Sequence, residues 1–142
     1  MRPGILTVLA VAAMGCSGDA GPTDVGETGY LTAEAELTLE FGETRGVDGT
    51  VLQVSFTDVL GDSRCPVNAA CIWQGSARIQ IGISAGMGPT FPLVLESGIR
   101  PNYADWNGVR VTLLEVMPEA RWNVFLEPED YSIRLRLEEA GA

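Results

Sequence analysis

Cys65 and Cys71, six positions apart in the stretch DSRCPVNAACIWQG (62–75), carry the most reactive side chains in the middle of this chain. Two nearby thiols can catalyse redox or nucleophilic chemistry, bind a metal, or oxidise to a disulfide. A redox pair favours a C-x-x-C spacing beside a βαβ pattern, and the sequence has neither. A zinc site needs further Cys or His ligands, and there is no histidine. A catalytic thiol lacks a histidine base for the same reason. In an exported chain the expectation is a disulfide closing a short loop. Such a clip stabilises the fold by about 2–3 kcal/mol, through the entropy it removes from the unfolded state.

The absences reach further. All nine basic residues are arginine. With neither histidine nor lysine, Ser-His-Asp and Ser-Lys nucleophiles, Schiff bases, phosphate-binding Gly-Lys loops and His-ligated metals are excluded. Asp and Glu remain as acid/base groups. A carboxylate-dependent glycosidase-type enzyme would draw on Glu127, Glu129 and Asp130 of EPED, with Glu96, Asp105 and Glu115. It would need two acids roughly 5–9 Å apart in unlike environments, and no spacing here encodes that. No stretch matches a calcium loop. The expectation is a protein that is not an enzyme and uses no cofactor or metal. A net charge of −10 also opposes nucleic-acid binding.

Two stretches could bind a partner. The clip loop offers Arg64, Asn68, Trp73 and Gln74. The segment RPNYADWNG (100–108) brings Tyr103 and Trp106 beside Arg100, Asn102 and Asp105. Aromatics flanked by polar groups stack on sugars or anchor proteins, so an envelope protein or a glycan is the expected partner. A rigid clip would also suit an inhibitor of an envelope or host hydrolase, because rigidity lowers the ordering cost of binding. The competing expectation assigns these rings to packing. Trp73 then covers the disulfide or seals the core, and Tyr103, Trp106 and Trp122 lie in the core or at its edge. Asp62 and Arg64 are placed to pair locally.

The elements that must hold these residues count in twos. Leu37, Leu39 and Phe41 share one face; so do Leu52, Val54 and Phe56; so do Ala77, Ile79, Ile81 and Ile83. Phe91, Leu93 and Leu95 follow, then Val109, Val111 and Leu113, then Tyr131, Ile133, Leu135 and Leu137. Trp122 to Leu126 is a short seventh candidate. The parity slip at Leu113-Leu114 signals a bulge or a strand buried on both faces. Pro92 has no amide donor and points to an edge strand. Gly75 marks a bulge or a close backbone approach. Turn chemistry at GVDGT (46–50), AGMGP (85–89) and MPEA (117–120) separates the strands. The pattern predicts an all-β domain over 30–142, a small sandwich or partly open barrel of six to seven mostly antiparallel strands.

The N-terminus is an address. MRPGILTVLAVAAMGC has a positive Arg2 and an apolar run from Ile5 to Ala13 that ends in small residues. That run spans only about 14 Å as a helix, too short to cross a bilayer. Ala13-Met14-Gly15-Cys16 resembles the lipobox of bacterial lipoproteins. The resemblance implies a signal peptide over 1–15 and lipidation of Cys16. Two or more acyl chains would then hold the protein stably on a membrane. Ser17 after Cys16, in place of Asp, implies sorting to the outer membrane where the cell has two. Residues 16–29, rich in Gly and acids, read as a flexible linker reaching roughly 20 Å. DSRCP (62–66) followed by Cys71-x-Trp73-x-Gly75 also resembles a motif of small exported bacterial proteins of unassigned function, which implies a β fold and brings no catalytic residues.

Overall fold

A computed structural model describes residues 30–141; the leader, Cys16 and the linker lie outside that range. The alternating segments form eight strands: β1 (Ala35–Glu40), β2 (Thr44–Gly46), β3 (Leu52–Asp62), β4 (Ala77–Ala85), β5 (Phe91–Glu96), β6 (Tyr103–Trp106), β7 (Val109–Met117) and β8 (Ser132–Glu139). They make two four-stranded antiparallel sheets, ordered β1-β8-β7-β6 and β2-β3-β4-β5. The inward side chains of both meet in one apolar core, so the domain is a sandwich.

The chain runs once around the perimeter. Successive strands are hydrogen-bonded neighbours except at two seams, β1/β2 and β5/β6, and β8 returns to pair with β1. At the first seam a tight corner joins the sheets. The Phe41 amide donates to the Tyr131 carbonyl at 3.1 Å, while Gly42 donates to Phe56 at 2.8 Å. The sandwich therefore has the connectivity of a flattened up-and-down barrel.

The strand count exceeds the six to seven expected from alternation, because β2 and β6 are three- and four-residue edge strands. The expected strand at Trp122 to Leu126 does not form. That segment is turn and irregular chain, and Asn123 takes a left-handed φ of 61° that breaks extended geometry. Pro92 does sit on an edge, since among the described residues β5 pairs only with β4. The slip in β7 is a register shift between Leu113 and Glu115.

β3 carries two further shifts, between Phe56 and Asp58 and between Val59 and Gly61. Each moves the in/out phase by one residue. The first turns Val59 toward the core opposite Ile79; the second restores the original phase, so Asp62 pairs with the buried Ala77. A carboxylate is thereby aimed into one end of the sandwich.

The core is aliphatic with one ring at its centre. Phe56, Ile81, Ile83, Leu135 and Leu137 are fully buried, and Phe41 meets Phe56 edge-on at 5.5 Å. Leu135→Ala removes a central side chain of β8 and leaves a cavity. It is expected to lower unfolding free energy by about 2–5 kcal/mol, read from the urea midpoint.

Candidate functional site

Antiparallel order sorts the connections between two ends. One end carries the β1–β2 corner (41–43), the clip loop (63–76), the β5–β6 loop (97–102) and the long β7–β8 loop (118–131). The other carries three hairpin turns and the point where the chain enters β1.

At the loop-rich end a latch ties both sheets together. Arg64 forms a fork with Asp62, Nε to Oδ1 at 2.8 Å and Nη2 to Oδ2 at 2.7 Å. Its Nη1 donates to the Val116 carbonyl on β7 at 2.8 Å. Tyr131, buried just before β8, donates its hydroxyl to Asp62 Oδ2 at 2.9 Å. The guanidinium lies 6.0 Å from the Tyr131 ring centre. β3, the clip, β7 and the residue that leads into β8 thus converge on one bidentate ion pair, the strongest hydrogen-bonded form of a carboxylate–arginine contact. The Arg64 and Asp62 side chains are only 15% and 14% exposed.

The electrostatics follow the geometry. Burial pushes the Asp62 carboxyl up, but hydrogen bonds from Arg64 and Tyr131 outweigh it and hold the group below the usual range. Tyr131 is pushed up to about 12 by burial and by its bond to the Asp62 carboxylate. Arg64 is held firmly charged by the same carboxylate. All three guanidinium nitrogens make an internal hydrogen bond, so Arg64 acts first as a structural cation.

From the latch the clip rises as an extension of the β3–β4 hairpin. Ser63 donates to Ser76 and Cys65 to Gln74, both at 2.7 Å, continuing the ladder beyond the last strand pair. The Cys65–Cys71 disulfide closes the tip, with Cα atoms 5.9 Å apart. Gly75 has a φ of 66°, and a Cβ there would fall 1.8 Å from the Ser63 carbonyl oxygen. This is a close backbone approach of the kind its position suggested.

The clip leans on the β7–β8 loop. Val67 donates its amide to the Ala120 carbonyl at 2.9 Å, and Trp122 donates its amide to Asn68 Oδ1 at 2.7 Å. Asn68 is thereby a bracket between loops. Trp73 neither covers the disulfide nor seals the core: it is 82% exposed. Beside it in sequence Ile72 is 93% exposed, and on the neighbouring loop Phe125 is 92% exposed and Trp122 64%. Below this ridge a shallow cavity of about 410 Å³ is lined by Asp62, Arg64, Arg121, Phe125 and Tyr131 among others.

The second candidate stretch divides differently. Asn102 Nδ2 donates to the Leu113 carbonyl at 2.8 Å, fixing the start of β6. Arg110 forks onto Asp105 at 2.8 and 2.9 Å and lies 3.9 Å above the Tyr103 ring, which holds the Asp105 carboxyl below the ordinary range. Trp106 stacks on Tyr30 at 5.5 Å and meets Phe91 at 5.7 Å, so it is a core-edge residue. Trp122 is not. Arg100 shares a shallow groove with Gln74 and Asn102. Tyr103, Asp105 and Trp106 thus lie on β6, away from the clip ridge. Phe125, Ile72 and Tyr131 were missed as site residues. For Phe125 and Ile72 the signal was present, as bulky apolar residues within loops.

Comparison with family models, with curated proteins and with solved structures finds no match.

The latch predicts a specific pH response. Asp62 titrates lower folded than unfolded, so its contribution is complete above the unfolded carboxyl value near ~3.9 and is lost as pH falls through the folded value. Asp62→Asn is expected to lose about 2–3 kcal/mol at pH 7, with the gap from wild type narrowing below about pH 4 in urea titrations. Tyr131, raised to about 12, contributes below about pH 10 and loses that contribution as pH climbs toward its folded value.

Proposed function

We propose that this chain is a lipoprotein of the bacterial cell envelope, anchored through acyl chains on Cys16, whose β domain is a non-enzymatic binding module that uses its loop-rich end. The observation that carries the reading is where exposed apolar side chains gather. Val67, Ile72, Trp73, Trp122, Val124 and Phe125 all stand on the two loops bracketed to each other at that end. Bulky apolar groups scattered singly need no explanation, whereas a group of them on adjoining loops marks an interaction surface.

Orientation supports the same reading. The linker joins the domain where β1 begins, at the end opposite these loops. A membrane-tethered domain of this build would carry the ridge at its far end, about 26 Å from its attachment point at the rise of an eight-residue strand. The latch and the disulfide hold the loops in place before any partner arrives, which keeps the entropic cost of binding low.

A second reading, an inhibitor of an envelope or host hydrolase, is favoured by the shape of the ridge. Its tips protrude on a braced stalk, as a cleft-filling loop must. It differs from the first only in what the partner does when bound.

Two experiments test the reading. Cys16→Ser is expected to abolish fatty-acid incorporation and release the full chain from membranes; continued membrane association would remove the anchor from the account. Trp73→Ala combined with Phe125→Ala is expected to leave the melting temperature within about 3 °C, since exposed substitutions change stability by roughly 0.5 kcal/mol or less. The same variant should lose capture of envelope components by the full chain. Undiminished capture would move binding away from these loops.

A further inference from the structure

We infer that the clip ridge docks into the cleft of a cationic protein, an apolar cavity rimmed by Arg or Lys. The inference rests on the proposed binding role of the loop-rich end and names the class of partner.

Shape is the first argument. At 93% and 92% exposure, Ile72 and Phe125 project from their loops, Phe125 at the edge of the cavity it helps to line. Trp73 projects beside Ile72 on the same arm of the clip. A polysaccharide stacks on flat or concave aromatic surfaces; projecting tips need a concave receptor, as hot-spot residues fill pockets on a partner. The clip can act as a wedge because the Cys65–Cys71 bond and the two bridges to the β7–β8 loop hold it upright.

Charge selects among concave receptors. Among the described residues, every arginine except Arg100 is engaged in an ion pair with a carboxylate. Acids outnumber arginines, so several carboxylates remain without an arginine partner. Three of these, Glu127, Glu129 and Asp130, lie within five residues after Phe125 in the β7–β8 loop. The Phe125 side of the ridge is therefore flanked by negative charge that no arginine pairs with, on a chain that carries −10 overall.

An anionic bilayer repels such a rim. A second copy of the chain would bring the same carboxylates face to face, which makes a two-fold contact through this ridge unfavourable. A basic rim on the partner instead steers encounter, while the apolar tips hold the complex.

The test uses the full chain in the cells that produce it, with the photo-crosslinker p-benzoylphenylalanine at position 125 or, as control at the opposite end, at position 87, where Met87 is fully exposed. The expected result is a protein adduct from position 125 and not from 87, identified by mass spectrometry as a protein of high isoelectric point. Its yield should fall about fivefold in Glu127→Gln/Glu129→Gln, since two rim charges each contribute on the scale of an exposed ion pair. It should fall further as salt is raised. A lipid adduct, a homodimer, or an acidic partner indifferent to these substitutions overturns the inference and leaves the loop-rich end as a binding surface. Equal labelling from positions 125 and 87, or none from 125, overturns both.

Discussion

The Asp62–Arg64 ion pair is the constraint on which this end of the molecule depends. Neither group could be left alone there. A guanidinium or carboxylate shielded to this degree is costly without its counter-charge, and the fork geometry meets that cost while satisfying the Val116 carbonyl and the Tyr131 hydroxyl. Because its four contributors come from β3, the clip, β7 and the residue that leads into β8, the pair fixes where the clip leaves the sandwich and how the β7–β8 loop returns. The disulfide acts only above this point. It shapes the tip, whereas the latch sets the direction in which the tip stands.

Much of the sandwich could be read from alternation, because most strands bury one face and leave the other to solvent. The six long segments, the bulge near Leu114 and the edge position of Pro92 all follow from period two or from the chemistry of one residue. β2 could not be read so. Its three residues are all exposed, and its place comes from the corner in which Phe56 donates its amide to Glu43. The paired bulges of β3 were hidden for a different reason: two phase shifts cancel, so the pattern looks regular at both ends. Trp122 to Leu126 shows the opposite failure. It alternates adequately, but among the described residues no neighbouring strand is placed to pair with it.

The site was legible in part. Two cysteines in a short loop announced the clip, and the Asp/Arg pair beside them was visible as a local contact. That Tyr131 completes the pair depends on a meeting across 69 residues of sequence, which only the sheet order brings about. Trp73 illustrates the limit of proximity along a chain. Its nearness to Cys71 suggested a cover for the disulfide, yet the returning arm of the clip turns its ring outward. Trp106 went the other way, into an aromatic cluster with Tyr30 and Phe91.

The pairing of β1 with β8 has a mechanical meaning. Six residues of β1, from Ala35 to Glu40, are matched in register to β8 from Leu137 to Ser132. Their hydrogen bonds run perpendicular to the strands. Tension between a tether at the start of β1 and a load on the opposite loops would act along the strand axes. The bonds would be strained together in shear, instead of parting one after another as in a peeled zipper, so this edge strand is oriented to resist pulling by collective failure.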